Sequence, residues 1–173
     1  MRGIEKLIEW NDDIIEQIRR KYEGDDPYVW LTGIKIIVDG VDLAAPSRKE
    51  EMYSNFYMDD YIFNNLMEML NSILHLLNNE KYVFDYQSVP FELHLEPLDD
   101  TIKIAYRSPT FQEFNEMPAI PVSLKDLVEE IIEKSEDFLS KALSIQLALS
   151  QNKYVRKFKK NQNWQIHFSQ IHA

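Results

Sequence analysis

Glu92, His94 and Glu96 are where this sequence comes nearest to chemistry. In an extended chain alternate side chains share a face, about 7 Å apart between successive members, so two carboxylates and an imidazole project together. These are the donor types that hold a divalent metal or run acid–base catalysis. The hairpin expected with residues 101–106 weighs against that use. With a four-residue loop from Pro97 to Asp100, Glu96 faces Thr101 and His94 faces Lys103. A cation opposite the imidazole opposes metal binding. A solvated strand face laced with cross-strand ion pairs is the plainer expectation, with a metal-dependent or acid–base enzyme as the alternative.

No other catalytic set stands out. The chain has no cysteine, which removes thiol nucleophiles, thiolate zinc sites and disulfides together. Its four glycines, at 3, 24, 33 and 40, stand too far apart for a phosphate-cradling loop. No serine sits in a Gly-x-Ser-x-Gly elbow. His75, His167 and His172 lack ligand spacing, and His75 lies among leucines as a core or boundary residue. Asp12-Asp13, Asp59-Asp60 and Asp99-Asp100 are adjacent acids. Adjacent helical residues diverge by about 100°, so such pairs cannot share a proton. Asp59 and Asp60 suit a helix start, and Asp99-Asp100 suits a turn. No catalytic residue, cofactor site or metal site is therefore assigned.

Charge is the stronger signal. Of 173 residues, 19 are basic and 29 acidic, a net charge of −10. Residues 151–173 hold five of the basic side chains and no acid, which leaves the first 150 residues at −15. An acidic body repels nucleic acid and anionic membranes and steers toward basic partners. Glu129, Glu130, Glu133, Glu136 and Asp137 form an acidic ridge along one predicted helix, relieved by Lys125, Lys134 and Lys141. Glu130–Lys134 and Asp137–Lys141 have the favourable four-residue spacing. Glu129, Glu133, Glu136 and Asp137 are the candidate partner-binding residues. The tail carries Lys153, Arg156, Lys157, Lys159 and Lys160 between aromatics, and it is expected to dock on the domain's own acidic surface.

The elements that must position these groups follow from periodicity. Ile4, Leu7, Ile8, Ile14, Ile15, Ile18 and Tyr22 predict a helix over 2–23. Residues 28–38 predict a strand, Asp39-Gly40 a tight turn, 41–45 a short return strand, and 47–56 a loop. Residues 59–79 predict a helix apolar on most of its circumference, and so packed on more than one side. Strands are predicted over 81–86, 91–95 and 101–106, and a proline-rich ordered loop over 107–122. Ser123 caps a long helix reaching about residue 149, with Asp126 completing the cap. The order α-β-β-α-β-β-β-α predicts a single α+β domain over 1–173. It holds one antiparallel sheet of about five strands with three long helices mainly on one face, followed by the basic aromatic tail 151–173.

The size, the absent cysteine, the helix-first layout, the hairpin Leu-His-Leu-Glu-Pro-Leu-Asp-Asp (93–100) and the helix opening Pro-Val-Ser-Leu-Lys-Asp-Leu (121–127) form a recognisable set. In these respects the chain resembles the small acidic α+β immunity proteins of bacterial toxin systems. That resemblance implies a non-enzymatic protein that occludes a cognate effector, a basic protein such as a toxin, and it transfers no site residue. With neither an apolar leader at its N-terminus nor a membrane-length apolar run, a cytoplasmic protein is expected. It would be monomeric or homodimeric, with no nucleic acid or membrane as partner. A structural subunit of a larger assembly is a further alternative. That reading requires the apolar stripe of helix 59–79 to lie exposed in the monomer.

Overall fold

The computed structural model describes residues 8–10, 13–20, 30–38, 41–43 and 58–172. In chain order the elements are β1 (Ile8–Trp10), α1 (Asp13–Arg20), β2 (Leu31–Val38), β3 (Val41–Asp42), β4 (Met58–Tyr61) and α2 (Ile62–Leu77). Then come β5 (Tyr82–Asp85), β6 (Glu92–Leu98), β7 (Thr101–Arg107), α3 (Gln112–Glu116), β8 (Ile120–Ser123) and α4 (Leu124–Ile145). A 3-10 helix (Leu147–Gln151) leads into α5 (Lys153–His172). The class is α+β. Its strands form two antiparallel four-stranded sheets, however, where one sheet of about five strands is expected from the sequence.

The extra strands explain the difference. Ile8-Glu9-Trp10 falls inside the segment whose periodicity predicts a helix, yet it pairs with β2 as Ile8↔Ile36, Glu9↔Lys35 and Trp10↔Ile34. Three residues satisfy a helical or an alternating pattern equally well, and pairing with an apolar strand decides between them. Residues 58–61 likewise become β4, with Ile34 paired to both Met58 and Trp10, so β2 lies between β1 and β4. Val38 pairs with Val41 as the expected hairpin requires. The Asp39-Gly40 turn itself, the loop 47–56 and both ends of the predicted helix 2–23 lie outside the described residues.

The second sheet is a meander, β5-β6-β7-β8. Its central hairpin corrects the expected register. Leu98 pairs with Thr101, which puts Glu96 opposite Lys103, His94 opposite Ala105 and Glu92 opposite Arg107. Asp99 takes a positive φ of 53°, a conformation its short polar side chain tolerates, so two residues suffice for the turn. Pro97 stays in the strand, opposite Ile102. The shift is two residues, an even number, so Leu93 and Leu95 remain buried and the outward set keeps its face.

Helix α2 occupies the centre. Ile62, Phe63, Leu66, Met67, Met69, Leu70, Ile73 and Leu76 are all buried, with β2, β4, β5, β6, α4 and α5 packed around them. Its apolar stripe is thus covered by the chain itself. The helix ends at Asn78-Asn79 as expected. Asn79, at φ 59°, donates its N–H to Leu76 O, and Glu80 N–H returns to His75 O, a Schellman close.

The predicted helix 123–149 stops early, at Ile145, because Gln146 leaves helical geometry. Asn152 then starts α5 by accepting the N–H of Tyr154 (2.8 Å) and Val155 (3.3 Å) on its Oδ1. The tail docks by apolar and amide contact. Phe158, fully buried, meets Phe63 with ring centroids 4.9 Å apart, and Asn161 Nδ2 donates to Asn71 Oδ1 at 2.8 Å. Among the described residues no tail cation pairs with the acidic surface, so the expected electrostatic docking is replaced by this packing. The 107–122 segment holds α3 and the start of β8, tied down by Arg107 Nη1, which donates to the carbonyls of Tyr106, Phe114 and Met117.

Candidate functional site

Strand β6 presents Glu92, His94 and Glu96 outward as alternation requires, and two of the three meet. His94 Nε2 lies 2.7 Å from Glu92 Oε2, the imidazole a quarter exposed. Glu96 is exposed and forms no hydrogen bond or ion pair among the described residues. No three His, Asp or Glu side chains come together there, or elsewhere among the described residues, in a way that could hold a metal ion. What opposes His94 is Ala105, so the cation that weighs against a metal in the expected register stands two residues further along. Both side chains of the pair are partly covered, Glu92 at 40% exposure the more open of the two.

The acidic ridge sits on α4, a helix held from one side. Leu127, Val128, Ile131, Ser135, Phe138, Leu139 and Ala142 are buried, and Phe138 meets Trp30 edge-on at 6.1 Å. At 100° per residue Glu129, Glu133 and Glu136 fall within about 60° of one another on the opposite side, and all three are exposed. Ser123 fixes the helix start by accepting the Asp126 N–H at 3.4 Å.

Ion pairing sorts the acids further. Lys141 Nζ reaches Asp137 Oδ2 at 2.8 Å and Lys134 Nζ reaches Glu130 Oε1 at 3.9 Å, both as expected from the spacing. Glu130 is nevertheless largely covered, 14% exposed, and leaves the ridge. Lys125 Nζ stands 3.8 Å from Glu129 Oε1, between two exposed side chains. Glu133 and Glu136 have no counter-ion among the described residues. Of the four candidate residues, these two carry the uncompensated charge.

A further buried polar arrangement is one the sequence does not announce. Asp60 is fully buried and its carboxylate accepts the backbone N–H of Gln87 (2.9 Å) and Ser88 (3.2 Å) and Nδ2 of Asn65 (3.2 Å). It therefore ties the first sheet to the turn between β5 and β6. Asp60 does not serve the start of α2, whose cap is Tyr61 without a side-chain bond. Beside it the Tyr86 and Tyr106 hydroxyls share a 2.6 Å hydrogen bond. Burial pushes Tyr86 well above its ordinary 10.0. Tyr82 is raised too, by burial and then by its 2.6 Å bond to Glu68. Raised phenols stay protonated at neutral pH, so both hydroxyls keep a proton to donate within this network.

Compared with known proteins, the chain matches no family, no characterised protein and no solved structure.

Proposed function

We propose that this protein is a cytoplasmic, non-enzymatic binding protein, of the immunity type, that engages a basic protein through the acidic face of α4. The observation that carries this reading is the row Glu129, Glu133 and Glu136, exposed on a helix whose other side is locked into the core, with Glu133 and Glu136 left without counter-ions among the described residues. Fixed like charges on a rigid element steer an oppositely charged partner and set its orientation. A toxin with a basic working surface fits that chemistry, and occlusion by a rigid helix needs no bond-making group.

The test is a pull-down from the source cell with the wild-type chain and with a variant in which Glu129, Glu133, Glu136 and Asp137 are changed to Lys. Wild type should retain a basic protein, and the variant should lose at least about tenfold in association rate. Retention of the same protein by both, at equal rates, would remove the ridge from the account.

A further inference from the structure

Helix α5 carries a row of the opposite sign. Its buried side is Val155, Phe158 and Gln162, while Lys153, Arg156, Lys157 and Lys160 are all exposed on the other. Lys153 also lies over the Tyr154 ring at 4.7 Å. None of these four cations is within ion-pairing distance of an acid among the described residues. On α4, by contrast, Lys125, Lys134 and Lys141 each have an acid partner. In a chain with 29 acids, this stretch has kept its positive charge unspent.

The two rows match in length. Glu129 to Glu136 and Lys153 to Lys160 are each seven residue steps, about 10.5 Å at the helical rise. Helices α4 and α5 pack against each other, which sets their axes about 8–10 Å apart, near one Debye length in physiological salt. Rows of opposite sign and equal length on one chain can each meet the other on a two-fold-related copy.

We propose that the basic face of α5 is an interface with a second copy of this chain, its Lys153, Arg156, Lys157 and Lys160 lying along Glu129, Glu133 and Glu136 of that copy, and reciprocally. The proposal rests on the acidic row being a docking surface, and on that reading the basic protein and a second copy compete for the same row. Exposed ion pairs are individually weak, so the dimer is reversible and weakened by salt.

Sedimentation velocity of the full chain from micromolar to millimolar concentration, in about 0.05 M and about 0.5 M salt, tests it. Wild type should dimerise in low salt and at least about tenfold more weakly in high salt. Changing Glu129, Glu133 and Glu136 to Lys, or Lys153, Arg156, Lys157 and Lys160 to Glu, should give monomers, with circular dichroism confirming that each is folded. Mixing those two variants, or combining both sets in one chain, should restore the dimer. A wild type that stays monomeric throughout, or a dimer that survives either single reversal, overturns the proposal. Binding to poly-lysine separates the two readings. A monomeric wild type that binds poly-lysine through the glutamate row loses the dimer and keeps the docking surface, whereas one that binds neither loses both.

Discussion

Replacing Asp60 with Ala should cost more than any other single polar truncation among the described residues. The carboxylate satisfies three donors, two of them backbone N–H groups of the 87–88 turn and one the Asn65 amide. Gln87 and Ser88 are exposed residues, so water recovers part of their loss, about 1 kcal/mol remaining for each. Asn65 is 1% exposed, and a donor stranded there costs about 1–3 kcal/mol. The sum is about 3–5 kcal/mol. It stays below three full charged hydrogen bonds because the buried carboxylate's own desolvation cost disappears with it. A loss of that size lowers Tm by about 10–15 °C in a domain of this length. Asp60→Asn is the informative companion. It keeps an acceptor for the turn but sets an amide against the Asn65 amide. Asn65 Oδ1, buried without a hydrogen-bond partner, can relieve that clash by turning. Its cost should be about 1–2 kcal/mol. Urea unfolding followed by circular dichroism measures both. An Ala variant within about 1 kcal/mol of wild type would show that Asp60 does not clamp the first sheet to the β5–β6 turn.

Three further outcomes follow from the packing. Phe158→Ala should destabilise by about 3–5 kcal/mol and expose α5 to protease sooner than wild type, seen by limited proteolysis with mass spectrometry. Ser123→Ala should cost no more than about 0.5–1 kcal/mol in urea unfolding, because its capping bond is long at 3.4 Å. Stability should fall above about pH 10, since the unfolded chain releases the Tyr86 proton there while the folded one retains it, giving a slope of up to about 1.4 kcal/mol per pH unit. Urea midpoints at about pH 9 and about pH 11 read this slope, and Tyr86→Phe should make it shallower, leaving the share of the raised Tyr82.

Local patterns carried much of this architecture and failed at identifiable points. Leu93, Leu95, Ile102 and Ile104 alternate, so their burial was legible. The turn between them was not, because adjacent aspartates fit a two-residue or a four-residue connection equally well. β1 was hidden because three residues at helix-compatible spacing become a strand only when β2 is beside them. The break at Gln146 was masked by Leu147 and Leu149, which continue the α4 stripe in apolar character. Glu129, Glu133 and Glu136 could be placed on one exposed face from spacing alone, since helical geometry is local. Asp60 looked like a helix-start acid because its real partners, Gln87 and Ser88, lie 27 and 28 residues away. Sequence separation of that size is what single-chain patterns do not encode.

The docking of α5 also bears on how the molecule is made. Phe63, Met67 and Asn71 on α2 are completed by Phe158 and Asn161, and the Asn161–Asn71 contact joins residues 90 positions apart. At ordinary synthesis rates, a ribosome needs about 5–20 s to cover that interval. For those seconds the nascent chain carries a finished helix with an uncovered oily flank, the interval in which a chaperone would find it.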